Sequence, residues 1–420
     1  MLLWVFILNI IKTHSKMLTN RILFFFIIIM SFIFIYIYYC SENLESLNIN
    51  ESYKDYKYLF DKEYDIVEYN NNIEKNQIFV SIASYRDPEA TKTVTNLINN
   101  SKYPKNLWIY LYEQNGPNDK SVSDMPQNLL AKSNVFVETV SYTKALGPNW
   151  ARYLIQKKWG NQEYFLQIDS HTRFDQNWDV RLIKMLKGLP ELSVLTQYPP
   201  EYNLNTGAFN TKTLRSGLYI EGIRPKDHFT RIQSEYHKGK APDTPFKAEA
   251  WGACFSFSKS NILRDAPYDP YLIYLFFGEE LDITLRLYTR GWTFWSPNES
   301  IVFTSFKREH RNTIWNDHLE NKRKNIELLA RTRLYYKFGF NDQVNLIING
   351  KKNFDKYKLL LKNIEKFKLG KVRSLKNYED FSGIDFSKGI AKGHNRKRII
   401  NINRQKQLNL NNIKFWEYLF

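Results

Sequence analysis

Leu166-Gln-Ile-Asp-Ser-His-Thr-Arg-Phe174 decides the fold. The apolar run Tyr164-Phe-Leu-Gln-Ile168 reads as a buried strand that ends on Asp169, and an imidazole follows two residues later. In an extended or turning segment, positions i and i+2 can aim at one point. A carboxylate and an imidazole so placed suit Mn²⁺ or another divalent cation, which accepts oxygen and nitrogen donors. The same residues also read as an ordinary turn, because Asp and Ser are turn formers.

Working outward, the strand has companions. Ile78-Phe-Val-Ser-Ile-Ala83, Leu107-Trp-Ile-Tyr-Leu-Tyr112 and Val135-Phe-Val-Glu-Thr139 are short apolar runs of the same type. Between them lie helical patterns. Asp87 can cap a helix that has Pro88 at its first position and runs to about Asn100. Gly147-Pro148 opens another through Trp150, Tyr153, Leu154 and Lys157, ending at Gly160. Alternating strands and helices predict an α/β domain with a largely parallel sheet. Ligands of such sheets sit at the carboxyl ends of the strands, so Ser84 to Asp87 and Asp169 to His171 point to one rim.

Two further stretches can carry chemistry. In Phe276-Phe-Gly-Glu-Glu-Leu-Asp-Ile-Thr-Leu-Arg286, Glu279 and Glu280 open a helix whose Leu281, Leu285 and Tyr288 form a core face. Acidic residues also favour helix N-termini on dipole grounds alone. Asp282 and Arg286 at i, i+4 read as a surface pair. Phe303-Thr-Ser-Phe-Lys-Arg-Glu-His-Arg311 sets His310 among Lys307, Arg308 and Arg311, which can meet phosphate oxygens or form a basic surface loop. Trp251-Gly-Ala-Cys-Phe-Ser256 reads either as the floor of a sugar pocket or as core packing.

The chain of 420 residues carries 60 Lys and Arg against 43 Asp and Glu, a formal +17. That excess fits a polyanionic partner or simple compositional drift. Aromatic residues are spread as core and not as a stacking platform, so a nucleic-acid partner is not expected. The two cysteines, Cys40 and Cys254, make no disulfide framework and no metal-ligand spacing. Ile22 to Tyr39 is uncharged and long enough to span a bilayer. Lys12, Lys16 and Arg21 precede it and Glu42, Glu45 and Glu51 follow, which predicts a type II signal-anchor with the remainder luminal.

Taken together, Ser81 to Glu89, Gly147 to Arg152, Gln167 to Phe174, Trp251-Gly-Ala253, Phe276 to Glu280 and Tyr378 to Asp385 resemble the family of hydroxyproline GlcNAc-transferases. That family is related in plan to the polypeptide GalNAc-transferases. The resemblance implies a GT-A fold, a UDP-sugar donor, Mn²⁺ dependence and retention of anomeric configuration. It implies that Asp169 and His171 bind the metal, and that Ser84, Tyr85, Arg86, Asp87, Arg152 and Asp169 contact the nucleotide. It implies that Glu279 and Glu280 stand near the reacting sugar. The acceptor it implies is a protein hydroxyl on Ser, Thr or hydroxyproline. The family's third metal histidine corresponds by register to Thr304, so His310 is expected to substitute for it. The expected division is a cytoplasmic N-terminus at 1–21, an anchor at 22–40, a stem at 41–75, a catalytic GT-A domain at 76–320 and a basic helical extension at 321–420. Other readings are a sugar-nucleotide binder of the same fold without activity and, from charge alone, a basic membrane-tethered nucleic-acid binder.

Overall fold

The computed structural model describes residues 29–31, 56–59, 62–65, 72–211, 215–223, 230–236, 241–340, 361–387 and 390–391. Two units separate, Met1–Lys57 and Tyr58–Phe420, and the second holds the fold. The apolar run expected to cross a membrane lies outside the described residues except for 29–31. Among the described residues, no helix is long and apolar enough to span a bilayer. Cys40 is likewise outside them, and Cys254 is a free, buried thiol.

Four parallel strands form half of an eight-stranded sheet: β1 (Glu74–Tyr85), β2 (Leu107–Asn115), β3 (Asn134–Ser141) and β4 (Gln162–Asp169). The minor sheets add β5 (Thr172–Phe174), the hairpin of β7 (Arg215–Ile223) and β8 (Thr230–Tyr236), and β12 (Val302–Thr304). The other half of the main sheet holds β6 (Ser193–Thr196), β9 (Phe246–Ala248), β10 (Phe255–Lys259) and β11 (Thr293–Ser296). The order is β3-β2-β1-β4-β10-β6-β11-β9. The expected parallel arrangement therefore holds for the first half. β10 runs antiparallel to both β4 and β6, which makes the sheet mixed.

The strands of the first half are apolar on both faces because both faces are covered, as sheets of this kind require. Helices α1 (Glu89–Asn99) and α3 (Trp178–Lys187) bury Val94, Leu97, Ile98, Trp178 and Leu182 against Ile78, Val80, Ile82, Leu107 and Ile109. Helix α2 (Pro148–Gln156) packs against β1 and β2 without joining that cluster, which assigns it to the opposite face. Phe79 lies there, stacked on Phe165 and 5.0 Å from the ring of Tyr110. Residues 62–65 dock beside α2. The Tyr64 ring meets Trp150, Tyr153 and Tyr271 edge-on, and Lys62 and Asp65 accept hydrogen bonds through their backbone oxygens.

Helix α4 (Glu279–Tyr288) is almost wholly buried. Helix α5 (Glu320–Phe338) brings Arg333 and Lys337 against Asp269 and Asp282, and α6 (Leu375–Ser382) stacks Phe381 on Tyr288. Asp282 and Arg286 are not the surface pair their spacing suggested. Both are fully buried, 3.1 Å apart, with Lys337 of α5 against Asp282 and the Phe367 ring against Arg286.

Candidate active site

β1 and β4 run parallel with Ala83 opposite Asp169, so both strands deliver their last residues to one rim. After β1 the backbone turns sharply at Arg86, whose φ is 46°. That turn aims Asp87 inward. Its Oδ1 accepts from the Glu89 backbone N–H at 3.0 Å and so opens α1. Its Oδ2 accepts from Ser170 Oγ at 2.7 Å and lies 2.8 Å from His171 Nδ1. His310 Nε2 is 3.4 Å from Oδ1, and Arg311 Nε is 3.3 Å from Oδ2. Burial alone would raise the Asp87 pKa. The hydrogen bonds from His171 and His310 and the charge of Arg311 overcome it and hold the carboxyl far below its ordinary value.

The second nitrogen of His171 faces Asp169 Oδ2 across 3.7 Å. An imidazole held from behind by a carboxylate, with its other nitrogen turned to a second carboxylate, is the usual arrangement of a metal-binding histidine. The donor pair therefore fits a divalent cation. Neither residue considered for a third ligand contacts Asp169. Thr304 pairs with Thr172 and donates its hydroxyl to the His171 carbonyl at 3.3 Å. His310 turns to Asp87, and no contact joins it to Asp169. Among the described residues, no group of three His, Cys, Asp or Glu side chains is arranged to cage a metal.

On its other oxygen, Asp169 accepts from Arg152 at 2.9 Å. Arg152 is buried on α2 and also ion-pairs with Glu279. Tyr268 donates to Glu279 at 2.6 Å and receives a bond from Gln167 at 3.0 Å. The positive φ of Gly278, 118°, starts α4 so that Glu279 and Glu280 diverge. Glu280 accepts from Tyr198 at 2.6 Å and from the Ala253 backbone N–H at 2.9 Å. Trp251 is core: its backbone N–H donates to Thr284 of α4, and its indole donates to Ser256. The Trp251-Gly-Ala253 turn thus braces α4 and presents one N–H to Glu280. With no ion partner among the described residues, Glu280 is pushed by burial up to about 7.

Several expected nucleotide contacts are occupied within the protein. Tyr85 donates to Asp317 at 2.9 Å. Arg86 pairs with Asp119 and Asp317 and lies 4.6 Å over the Tyr142 ring. Ser84 is buried, and its hydroxyl has no hydrogen-bond partner among the described residues. Tyr85 and Arg86 fasten the end of β1 to the segment after β12. Arg308, by contrast, meets no carboxylate among the described residues. Its guanidinium lies over Phe276 and Trp315, where burial and the charge of Arg311 lower its pKa against the opposing pull of Asp169. Tyr198 and Tyr268 belonged to no motif, and Gln167, although inside the stretch ending on Asp169, was given no role. The available signal was position: Tyr198 follows the end of β6, and Gln167 lies two residues before Asp169 on β4.

A family model described as glycosyltransferase (GlcNAc) matches residues 77–127 and 118–388, well over half of the chain. No curated protein matches it. Among solved structures, it is similar to GalNAc-T7 with UDP, GalNAc and Mn²⁺ at 16% identity and a TM-score of 0.50, covering 79% of this chain. The chain spans 62% of that protein. The S. aureus protein TarS aligns at 12% identity, over 69% of this chain and 43% of that one, with a TM-score of 0.40. A mannosyltransferase from Pyrobaculum calidifontis aligns at 10% identity, over 77% of this chain and 78% of that one, with a TM-score of 0.38. With the GalNAc-T7 likeness, the architecture is a mixed α/β fold with a central sheet, similar to that of GT-A glycosyltransferases.

Proposed function

Because the chain belongs to the GlcNAc glycosyltransferase family, we propose that it moves GlcNAc or a related sugar from a UDP donor to a hydroxyl of a protein, with retention of configuration. The observation that carries this reading is the linked rim: Asp87–His171–Asp169 on one side and Asp169–Arg152–Glu279 on the other. Related chemistry is named for the similar GalNAc-T7 structure, which holds UDP, GalNAc and Mn²⁺.

In the proposed reaction, the bond from the sugar C1 to the β-phosphate oxygen breaks. A bond from C1 to the acceptor oxygen forms on the same face, and the acceptor proton passes to the departing phosphate. Asp169 and His171 are the residues that would hold Mn²⁺, which when bound supplies positive charge against the diphosphate. Arg308 would share that work, since its guanidinium lies over two aromatic faces and meets no carboxylate among the described residues. Arg152 keeps the Asp169 and Glu279 carboxylates in fixed orientation before substrate arrives, which is electrostatic preorganisation. Glu280 offers a half-buried carboxyl whose pKa is raised to about 7 and which can hold a sugar or acceptor hydroxyl in either state.

The test is turnover of UDP-sugars by the full chain, with and without Mn²⁺. Metal-dependent transfer or hydrolysis of UDP-GlcNAc supports the reading, and no turnover of any UDP-sugar at saturating metal sinks it. A second reading, a sugar-nucleotide binder without activity, draws on Thr304, whose hydroxyl is engaged with the His171 carbonyl where a third ligand is expected. Calorimetry showing tight UDP binding without turnover would select it. We further propose the type II anchor at 22–40 with a luminal catalytic domain, checked by protease protection in sealed vesicles.

A further inference from the structure

A cleft of about 860 Å³ opens between the first turn of α1, the tight loop 201–210 and the segment after β12. Of the residues assigned to the rim, only His310 lines it, so it is a separate space that shares a wall with the site. The loop is preformed. Asn203 and Ala208 are bonded across it, Gly207 turns back with a φ of 72°, and Asn203 Oδ1 accepts from the N–H groups of Asn205 and Thr206. Tyr202 donates to Glu89 and anchors the loop to α1.

The chemistry of the walls is specific in one respect: the lining cations Lys92, Lys120 and Lys307 equal in number the lining anions Glu89, Glu201 and Glu309. Glu89 is paired with Lys92 and, outside the lining, with Arg173. The exposed cations Lys120 and Lys307 and the exposed anions Glu201 and Glu309 line the same cleft, and none of these four has an ion partner among the described residues. A diphosphate or an acidic peptide gains nothing from such a balance. Amides such as Asn205 and Asn210 both donate and accept, ammonium groups donate, and carboxylates accept. That mixture matches a ligand covered in hydroxyls, each of which is both donor and acceptor. The volume lies within the roughly 300–1,000 Å³ that holds small ligands.

We propose that this cleft binds a short neutral oligosaccharide carried by the acceptor. The acceptor protein then already carries a glycan when its next hydroxyl is modified. The binding claim stands on the cleft alone, and its link to the acceptor rests on the transferase reading above. Calorimetric titration of the full chain with maltotriose, lactose and N,N′-diacetylchitobiose tests it, with sulfated and phosphorylated saccharides as a second arm. At least one neutral saccharide should bind. The exposed-residue variant Asn205→Ala/Asn210→Ala should weaken it about tenfold, the loss of one or two hydrogen bonds. Hydrolysis of UDP-GlcNAc by that variant should be unchanged. Failure of every neutral saccharide to bind, binding confined to the anionic arm, or indifference to the double variant each overturns the proposal. Variant-sensitive binding without UDP-sugar turnover keeps the cleft and removes the transferase reading. Turnover without saccharide binding does the reverse.

Discussion

Two clusters of carboxylates and cations flank helix α4, and they share their residue types while differing in access. Behind the helix, Asp269 is paired with Arg333 at 2.8 Å and Lys337 at 3.0 Å. Lys337 also meets Asp282 at 2.7 Å, and Arg286 meets Asp282 at 3.1 Å. Every one of these side chains is at most 1% exposed. In front, Asp169 is 29% exposed, shares Arg152 with Glu279 and turns its second oxygen toward an imidazole. The rear cluster is paired with groups from α5 and, at no more than 1% exposure, gives a ligand no access. The front cluster keeps a partly exposed carboxylate at a strand end. Composition does not separate a structural ion network from a candidate active site. Access does.

The largest expected effect breaks the rear cluster. Asp269→Asn leaves Arg333 with a neutral partner and Lys337 with Asp282 alone, inside the protein. Removing one partner of a buried pair costs about 3–5 kcal/mol. Urea unfolding should show that loss, while turnover per folded molecule stays close to wild type. A loss below about 1 kcal/mol would place this cluster outside the forces that hold α4. The matched experiment in front inverts the outcome. Asp169→Asn should change stability by no more than about 1 kcal/mol, since the position is partly exposed and Arg152 keeps Glu279. UDP-GlcNAc turnover should fall by about 10²- to 10³-fold, the usual cost of removing a group that stabilises developing charge. If the two variants lose stability and activity alike, the distinction between the clusters is wrong.

The contrast also marks what was legible in the sequence. Strands β1 to β4, the helices opened by Gly147-Pro148 and Gly278-Glu279, and the common rim follow from local periodicity, caps and strand ends. The pairing of Asp169 with His171 follows from spacing of two. What was not legible depends on distant chain. Asp282 is met by Lys337, some fifty residues later, and Arg286 lies against Phe367, so local spacing read them as exposed. Arg86 and Tyr85 looked free to meet a nucleotide, yet Asp317 from the far end of the domain engages both. The antiparallel β10 could not be foreseen either, because strand direction is set by a crossover and not by the residues of the strand.

Smaller effects sharpen the front half of the comparison. Asp87→Asn should keep the ring of His171 in place less firmly, and loss of such a supporting carboxylate typically costs about 10- to 100-fold in metal affinity. Mn²⁺ titration followed by electron paramagnetic resonance reads this directly. The same variant should alter acid stability. The folded pKa of Asp87 lies below its ordinary 3.8, so its contribution is complete above that value and is lost as pH falls further. Asp87→Asn should therefore destabilise more at pH 6 than at pH 3.

Glu280 carries the opposite sign and the finest test. Its ordinary value of 4.5 is raised to about 7 in the folded protein, chiefly by burial, so the folded state keeps a proton that the unfolded chain has released. Stability therefore falls as pH rises from about 4.5 through 7, by on the order of 3 kcal/mol in total. Glu280→Gln preserves the shape and cannot ionise. Measured against wild type, this variant should gain relative stability between pH 5 and pH 8, seen as a difference in melting temperature that grows across that window. Activity should lose whatever pH dependence has its midpoint near 7. A stability difference that stays flat across the window would mean that Glu280 is charged throughout. It would then belong with Asp269 among the neutralised structural acids and not with Asp169.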